Sequence, residues 1–135
     1  MVDESLKNYI ETSIFPLYDD LDVAHQRDHV EMVIKLSLSI AENLNVNMDM
    51  VYATAAYHDT GLVKENKNHN ITSGNIVRED MWLRDWFTEQ QIETIAQAVE
   101  DHYMASGNEP RNIYGKIIAK ANPMVNCHDR VLCGL

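Results

Sequence analysis

Cysteine is scarce in this 135-residue chain, and its two cysteines, Cys127 and Cys133, both lie near the C-terminus. Two thiols in that arrangement form neither a disulfide framework nor a CxxC metal-binding pair, so we expect both to be reduced. Long hydrophobic runs are also missing, since no apolar stretch approaches the roughly 18 residues that a membrane helix needs. The segment MVDESLKNYIETS lacks the basic start and apolar block of a signal peptide. These absences favour a cytoplasmic protein that does not enter a membrane.

Basic residues are few relative to acidic ones, with 11 Lys and Arg against 21 Asp and Glu and a formal net charge of −10. Binding along a nucleic-acid backbone depends on Lys and Arg to neutralise phosphates, so this composition argues against a nucleic-acid polymer as partner. It does not argue against a small phosphorylated ligand. Such a ligand needs local positive charge, and a bound divalent cation is the most economical source.

Linkers, internal repeats and low-complexity segments are absent from the sequence as well. The chain is 45% hydrophobic and 24% charged, close to the average of soluble globular domains. Its length fits one domain and is too short to divide comfortably into two. We therefore expect a single domain over residues 1–135, as a monomer or a homodimer.

Helical periodicity is what the sequence offers instead. Between residues 28 and 44, apolar or small side chains recur at three- and four-residue steps and predict one buried helical face: Val30, Val33, Ile34, Ser37, Leu38, Ala41 and Leu44. A second helix is predicted from an N-cap at Asn47 to a stop at Gly61. A third is predicted to start at Thr72 or Ser73.

The second half of the chain continues this pattern. Thr88 and Gln91 have the spacing of a capping box, and a buried stripe follows them: Ile92, Ile95, Ala96 and Val99. The segment NEPRN breaks that helix, and YGKIIAKAN begins a short one that Pro123 constrains or ends. No alternating run of β-branched residues predicts a strand. The expected fold is therefore all-α, an orthogonal bundle of five to seven helices.

The segment MWLRDWF, residues 81–87, is the most aromatic part of the chain. Its large apolar side chains have the spacing of one helical face: Trp82, Leu83, Trp86 and Phe87. That spacing favours a core position over a dimer contact.

His58 and Asp59 are the first candidates for chemistry, because they stand together at the end of the apolar run VYATAAY. Burying such groups is costly unless they are paired, hydrogen-bonded or bound to a metal. Neighbours on a helix point about 100° apart, so both can bind one ion that sits beside the helix. A cation would also relieve the conflict between Asp59 and the helix dipole. A hydrogen-bonded structural pair is the alternative.

Three more histidines lie where they can face a common site. His29 starts the first long helix, His69 precedes the third, and His102 extends the apolar stripe of the capping-box helix. The stretch HQRDH, which begins at His25, has the two-histidine spacing of a zinc protease. Gln26 stands where that motif needs a glutamate base, so the peptidase interpretation is rejected.

The ordered stretches AHQRDHVEMVIKLSLSIAE, VYATAAYHDTGL, HNITSG, AVEDHY and GKIIAKAN resemble the HD-domain superfamily of metal-dependent phosphohydrolases, in particular its small single-domain bacterial members. The resemblance covers about residues 20–122. It implies an all-α fold and a divalent metal ion, with Mn²⁺, Fe²⁺, Mg²⁺, Co²⁺, Ni²⁺ and Zn²⁺ all compatible with the ligand types.

Carried over residue by residue, the resemblance implies that His29, His58 and Asp59 bind the metal. His25, His69 and His102 match further histidines that line the pocket of family members, and the last two can bind a second metal in binuclear members. The fourth ligand is an aspartate in the family's pattern, whereas this chain has Asn122 in KIIAKAN. An amide oxygen can coordinate a hard cation, but it is neutral and a weaker donor.

The C-terminal residues 123–135 have no match in the resemblance and stay unassigned. They contain a second His-Asp doublet ending at Asp129, which we interpret as a chance match because it lies among polar residues without an apolar face.

The function implied by the resemblance is hydrolysis of a small phosphate ester or anhydride, a nucleotide being the first candidate. Asp59 would ligate the metal and help to orient water, and His69 or His102 would stabilise charge or protonate the leaving oxygen. Lys64 and Lys67 are candidate phosphate contacts. Two alternatives stay open: an HD module weakened by Asn122 that binds a nucleotide or a partner without turnover, and a di-iron oxygenase of the same fold.

Overall fold

The computed structural model describes residues 2–19, 27–63, 69–101 and 109–129, with the side chains of residues 62–63 and 123–129 excepted. Seven α-helices lie in these ranges: α1 (Glu4–Ser13), α2 (Phe15–Tyr18), α3 (Arg27–Ala41), α4 (Met48–Tyr57), α5 (His69–Glu79), α6 (Glu89–Asp101) and α7 (Ile113–Asp129). Two 3₁₀ segments, Thr60–Val63 and Met81–Asp85, complete the order. The described residues form no strand, so the prediction of an all-α helical bundle is confirmed.

Helix α4 is the centre of the bundle, and it packs against α3, α6 and α7. Every residue from Met50 to Tyr57 is buried, including the polar Thr54, whose hydroxyl donates to the Met50 carbonyl oxygen at 2.7 Å. A helix that is apolar all round can only be stable inside such a shell of other helices. The chain segment that follows α4 therefore starts from the interior of the molecule.

The predicted helix starts are confirmed where they depend on capping chemistry. Asn47 caps α4, since its Oδ1 accepts from the Met50 backbone N–H at 3.2 Å. Thr88 and Gln91 form the predicted capping box: the Thr88 N–H donates to Gln91 Oε1 at 2.9 Å, and the Gln91 N–H donates to Thr88 Oγ1 at 3.2 Å.

Three helix boundaries were predicted wrongly. Helix α4 ends at Tyr57 rather than at Gly61, and α5 begins at His69 rather than at Thr72 or Ser73. Helix α7 continues past Pro123 to Asp129. A proline inside a helix removes one backbone hydrogen bond, and α7, which packs against α3 and α6, absorbs that loss.

The MWLRDWF segment is only partly core. Leu83 and Phe87 are buried, but Trp82 is 65% exposed and Met81 is 69% exposed. Residues 81–85 form a 3₁₀ segment, in which side chains repeat every three residues, so the four large side chains do not share the single α-helical face that the spacing predicted. None of the helices described is long and apolar enough to cross a membrane.

Candidate metal centre

His58 and Asp59 leave the buried end of α4 together. His58 is fully buried and Asp59 is 5% exposed, so both ionisable groups lie inside the protein. His58 Nδ1 lies 2.6 Å from the Ala55 carbonyl oxygen. Because a carbonyl oxygen can only accept, Nδ1 carries the proton of this hydrogen bond, and the other ring nitrogen becomes the coordinating atom of the neutral ring. That nitrogen, Nε2, lies 3.2 Å from Asp59 Oδ2.

Helix α3 brings His29 to the same place from the other side. The rings of His29 and His58 have their centroids 5.8 Å apart. One possible ligand atom from each of His29, His58 and Asp59 lies within 4.8 Å of the other two. The three side chains that the sequence singled out therefore converge on one point.

Asn122 reaches this point from α7. Its Oδ1 lies 3.1 Å from His29 Nε2, in a contact that joins residues 93 positions apart in the chain. The close packing of α3 and α7 produces the approach. The amide thus stands beside the predicted ligands, at the position where the family pattern has a carboxylate.

His69, the first residue of α5, lies on the opposite side of Asp59. Its Nε2 is 3.6 Å from Asp59 Oδ1, while Asp59 Oδ2 faces His58. The Asp59 carboxylate thus lies between two imidazoles, each on a different helix end. His69 is partly exposed, so solvent reaches this side of the cluster.

Gly61 explains why α5 begins so close to Asp59. Its N–H donates to the Ser73 hydroxyl at 2.7 Å. A Cβ atom at this position would meet the carbonyl oxygen of His69 and lie 2.8 Å from the Ser73 nitrogen and hydroxyl oxygen. The glycine predicted to stop a helix is therefore required for a close approach of two backbones.

Tyr18 is a residue of this site that the sequence did not reveal. Its buried hydroxyl donates to the Ala56 carbonyl oxygen at 2.6 Å and accepts from the Asp59 N–H at 3.3 Å. Both partners are backbone groups at the end of α4, where helices leave carbonyl and N–H groups unsatisfied. The phenol thus fixes the backbone that carries the doublet. A tyrosine in the short helix α2, far from the motifs in sequence, gave no signal of this role.

Burial and neighbouring groups shift the pKa values of His58 and Tyr18. Burial alone would lower the pKa of His58, but the adjacent Asp59 carboxylate and the Ala55 carbonyl favour the protonated ring and leave its pKa above the usual value. Burial and the nearby Asp59 charge also raise the pKa of Tyr18 well above its usual range. Tyr18 therefore stays a neutral hydrogen-bonding group at any physiological pH.

The donor set fits a divalent metal ion. Imidazole nitrogens and carboxylate oxygens bind such ions at about 2.1 Å, so two ligands on opposite sides of one ion lie about 4.2 Å apart. The His29, His58 and Asp59 ligand atoms all lie within 4.8 Å of one another, so small side-chain movements are enough for them to share one ion. The hydrogen bond from His58 Nδ1 to a backbone carbonyl is also the usual support of a metal-binding histidine.

Four predicted site residues lie outside the described part of the chain: His25, Lys64, Lys67 and His102. The side chain of Asp129 is also not described. The predictions for these residues therefore stay predictions.

Comparisons with known proteins agree with this geometry. The sequence profile of the HD domain matches residues 27–122, which include every described residue of the cluster. A search of the curated proteins found no match. Among solved structures, a protein from an uncultured Thermotogales bacterium, described as a predicted HD superfamily hydrolase, superimposes with a TM-score of 0.70 at 16% identity. The match covers 92% of this chain and 66% of that one, and at this identity it shows the fold alone.

Proposed function

The chain belongs to the HD-domain family, and on that premise we propose that it is a metal-dependent phosphohydrolase acting on a small phosphate ester or anhydride, with nucleotides as the first substrates to test. The observation that carries the proposal is the convergence of His29, His58 and Asp59 within 4.8 Å from separate parts of the chain. In the reaction, water adds to phosphorus, the bond to the leaving oxygen breaks, and that oxygen gains a proton.

The metal would be held by His29, His58 and Asp59, with the Asn122 amide oxygen as a weak fourth donor. When bound, a divalent cation supplies Lewis acidity to a phosphoryl oxygen and makes water a better nucleophile. Asp59 has one oxygen toward His58 and the other toward His69, so it can orient a water molecule between them.

His69 is suited to proton transfer because it touches Asp59 and reaches solvent. A protonated imidazole can donate a proton to the leaving oxygen. His102 is the second candidate for this step, and His25, Lys64 and Lys67 are proposed as substrate contacts. These four roles rest on the family resemblance.

A second candidate function is a catalytically weakened HD module that binds a nucleotide or a partner without turnover. The 3.1 Å contact between Asn122 and His29 supports it, because the side chain beside His29 is a neutral amide. A neutral amide contributes less to cation affinity than a carboxylate does.

The test compares metal content in the wild type, His58→Ala, Asn122→Asp and Thr54→Ala. Thr54→Ala is the matched control, since Thr54 is buried on α4 and bonds only to the backbone of its own helix among the contacts described. The phosphohydrolase proposal expects metal in the wild type and the control, its loss in His58→Ala, and hydrolysis of an aryl phosphate or a nucleotide with Mn²⁺, Mg²⁺ or Co²⁺.

A wild type without metal, combined with metal binding by Asn122→Asp, would instead favour the weakened module. Metal that is bound by the wild type and retained in full by His58→Ala would contradict both functions, because each places His58 at the site.

A further inference from the structure

A groove of about 370 Å³ lies between the residues that precede α7 and α7 itself. We call it the α7 groove, and its lining is Glu109, Pro110, Lys116, Ala119 and Lys120. Its volume falls in the range of small-molecule sites in proteins. Lys116, Ala119 and Lys120 are spaced by three and four residues, so they share one face of α7.

The two lysines are among three described basic residues, Lys35 being the third, that form no ion pair with a described carboxylate. Five of the eight described basic residues form ion pairs with carboxylates: Lys7, Arg27, Arg78, Arg84 and Arg111. Lys116 and Lys120 form an ion pair with none of the described carboxylates, although both are exposed. Like charges at this helical spacing repel each other, and a shared anion would remove that repulsion.

The walls of the groove are fixed in place. Arg111 donates its backbone N–H to Asp101 Oδ2 at 2.8 Å, which ties the segment before α7 to α6. The Asn112 side chain caps α7 by accepting from the Gly115 N–H at 3.0 Å. Pro110 is buried against Gly115, where a Cβ atom would lie 2.9 Å from the proline ring. A preformed groove loses less entropy when a ligand binds.

The groove is close to the predicted metal. Ala119, its buried floor, precedes Asn122 by three residues, which is one helical turn or about 4.5 Å along the axis of α7. Residues three apart are also neighbours on the helix surface. One wall of the groove therefore lies within one helical turn of the residue that contacts His29.

We propose that the α7 groove binds a second, non-reacting phosphate of the substrate, so that the protein prefers compounds with two phosphate groups, such as a nucleoside diphosphate, over simple monoesters. Lys116 and Lys120 would hold this phosphate, and the apolar surfaces of Pro110 and Ala119 would pack against the rest of the molecule. The inference rests on the proposed function, and it adds a substrate class and two specificity residues outside the metal cluster.

The test compares adenosine 5′-diphosphate with an aryl phosphate monoester, which carries a single phosphate group on an uncharged ring, in the wild type and in the variant Lys116→Ala/Lys120→Ala. Lost contacts to a charged group weaken binding by about tenfold or more. We expect the KM for the diphosphate to rise by at least that factor with little change in kcat. The reason is that a non-reacting phosphate is bound equally in the ground state and in the transition state, so its loss weakens both alike. The aryl ester should keep its kcat/KM within about twofold.

The matched control is Lys7→Ala/Lys35→Ala, which changes the net charge by the same amount but at positions on α1 and α3. In a third variant, Lys116→Arg/Lys120→Arg, the positive charges are kept, and the KM for the diphosphate should stay low. An equal rise in KM for both substrates, or the same rise in the control, would overturn the groove assignment while leaving the phosphohydrolase proposal in place.

If no phosphate compound is hydrolysed by metal-loaded protein, the proposed function fails, and calorimetric binding of adenosine 5′-diphosphate still tests the groove. Weaker binding in the alanine pair alone would support it. Equal binding in both pairs, or none in the wild type, would refute it.

Discussion

Two regions of this bundle are held together by different forces. The doublet region, from α4 to the start of α5, is tied by neutral hydrogen bonds to buried backbone, through Tyr18 and Ser73. The charged region, where α5, α6 and the segment before α7 meet, is tied by ion pairs that centre on Glu100. Arg78 and Arg111 both reach that carboxylate, and both are partly exposed.

The difference shows which part of the fold holds chemistry in place. Buried hydrogen bonds depend on short, fixed distances, because a buried group without a partner costs its full desolvation energy. The ion pairs of the charged region join Glu100, which is 11% exposed, to arginines that are 32% and 51% exposed, and solvent at the arginine side weakens such pairs. The doublet region is therefore the rigid half of the candidate site, and the charged region positions α6 and α7 around it.

The largest expected difference in stability is between alanine substitutions at two glycines, one in each region. Gly61→Ala would push a Cβ atom against backbone atoms of His69 and Ser73, which cannot swing away. We expect a loss of about 3 kcal/mol in the free energy of unfolding, at the upper end of the usual cost of overpacking. Metal binding should fall too, because His69 and Asp59 separate.

Gly115→Ala is the matched control in the charged region. There the new Cβ atom would lie 2.9 Å from one atom of the Pro110 ring and 3.3 Å from the Ala98 Cα atom, which is less crowded than the position at Gly61. We expect a loss of about 1 kcal/mol in the free energy of unfolding and unchanged metal binding. Chemical denaturation and metal titration measure both variants. Equal losses of unfolding free energy in the two variants would contradict the conclusion that the doublet region is the more rigid of the two regions.

Tyr18→Phe is expected to have the next largest effect. It leaves the Ala56 carbonyl and the Asp59 N–H without their shared hydroxyl, at a cost of about 1–3 kcal/mol. Because the lost bond supports the proposed ligand Asp59, we expect cation affinity to fall by about 10- to 100-fold. Metal titration and thermal unfolding give the two values.

The control for Tyr18→Phe is Tyr52→Phe, since Tyr52 is also a nearly buried tyrosine but lies away from the doublet, on α4. It should leave cation affinity unchanged. Should Tyr18→Phe lose stability but keep its full cation affinity, Tyr18 would be a core residue with no influence on the site.

The sequence predicted most of the fold and the centre of the site. Periodicity and capping chemistry are local properties, so α3, α4 and α6 were predicted near their true places, and the family resemblance supplied the candidate ligands His29, His58 and Asp59, which the structure brings together. The role of Gly61 was misread, because a close approach between backbones depends on α5, which no local pattern at Gly61 reveals. Tyr18 was missed for the same reason, since its partners are backbone groups about 40 residues away.

The smallest expected effect is the loss of stability when the pH is lowered and Glu93, in the charged region, is protonated. Hydrogen bonds from Arg78 lower the pKa of Glu93 below its usual value of 4.5, so this pair stabilises the fold above that pH and the contribution is lost as pH falls through the lowered pKa. Glu93 is 49% exposed, and solvent screening limits the contribution to about 0.5 kcal/mol or less.

The measurement compares the free energy of unfolding at pH 7 and pH 3.5 in the wild type and Glu93→Gln. Glutamine cannot carry the charge, so the variant should lose slightly less stability on acidification, by at most the same small amount. Added salt should shrink the difference, because it screens an exposed pair. If the wild type loses several times more stability than this relative to Glu93→Gln, Arg78 and Glu93 are as tightly constrained as the doublet. The two regions would then differ in burial but not in rigidity.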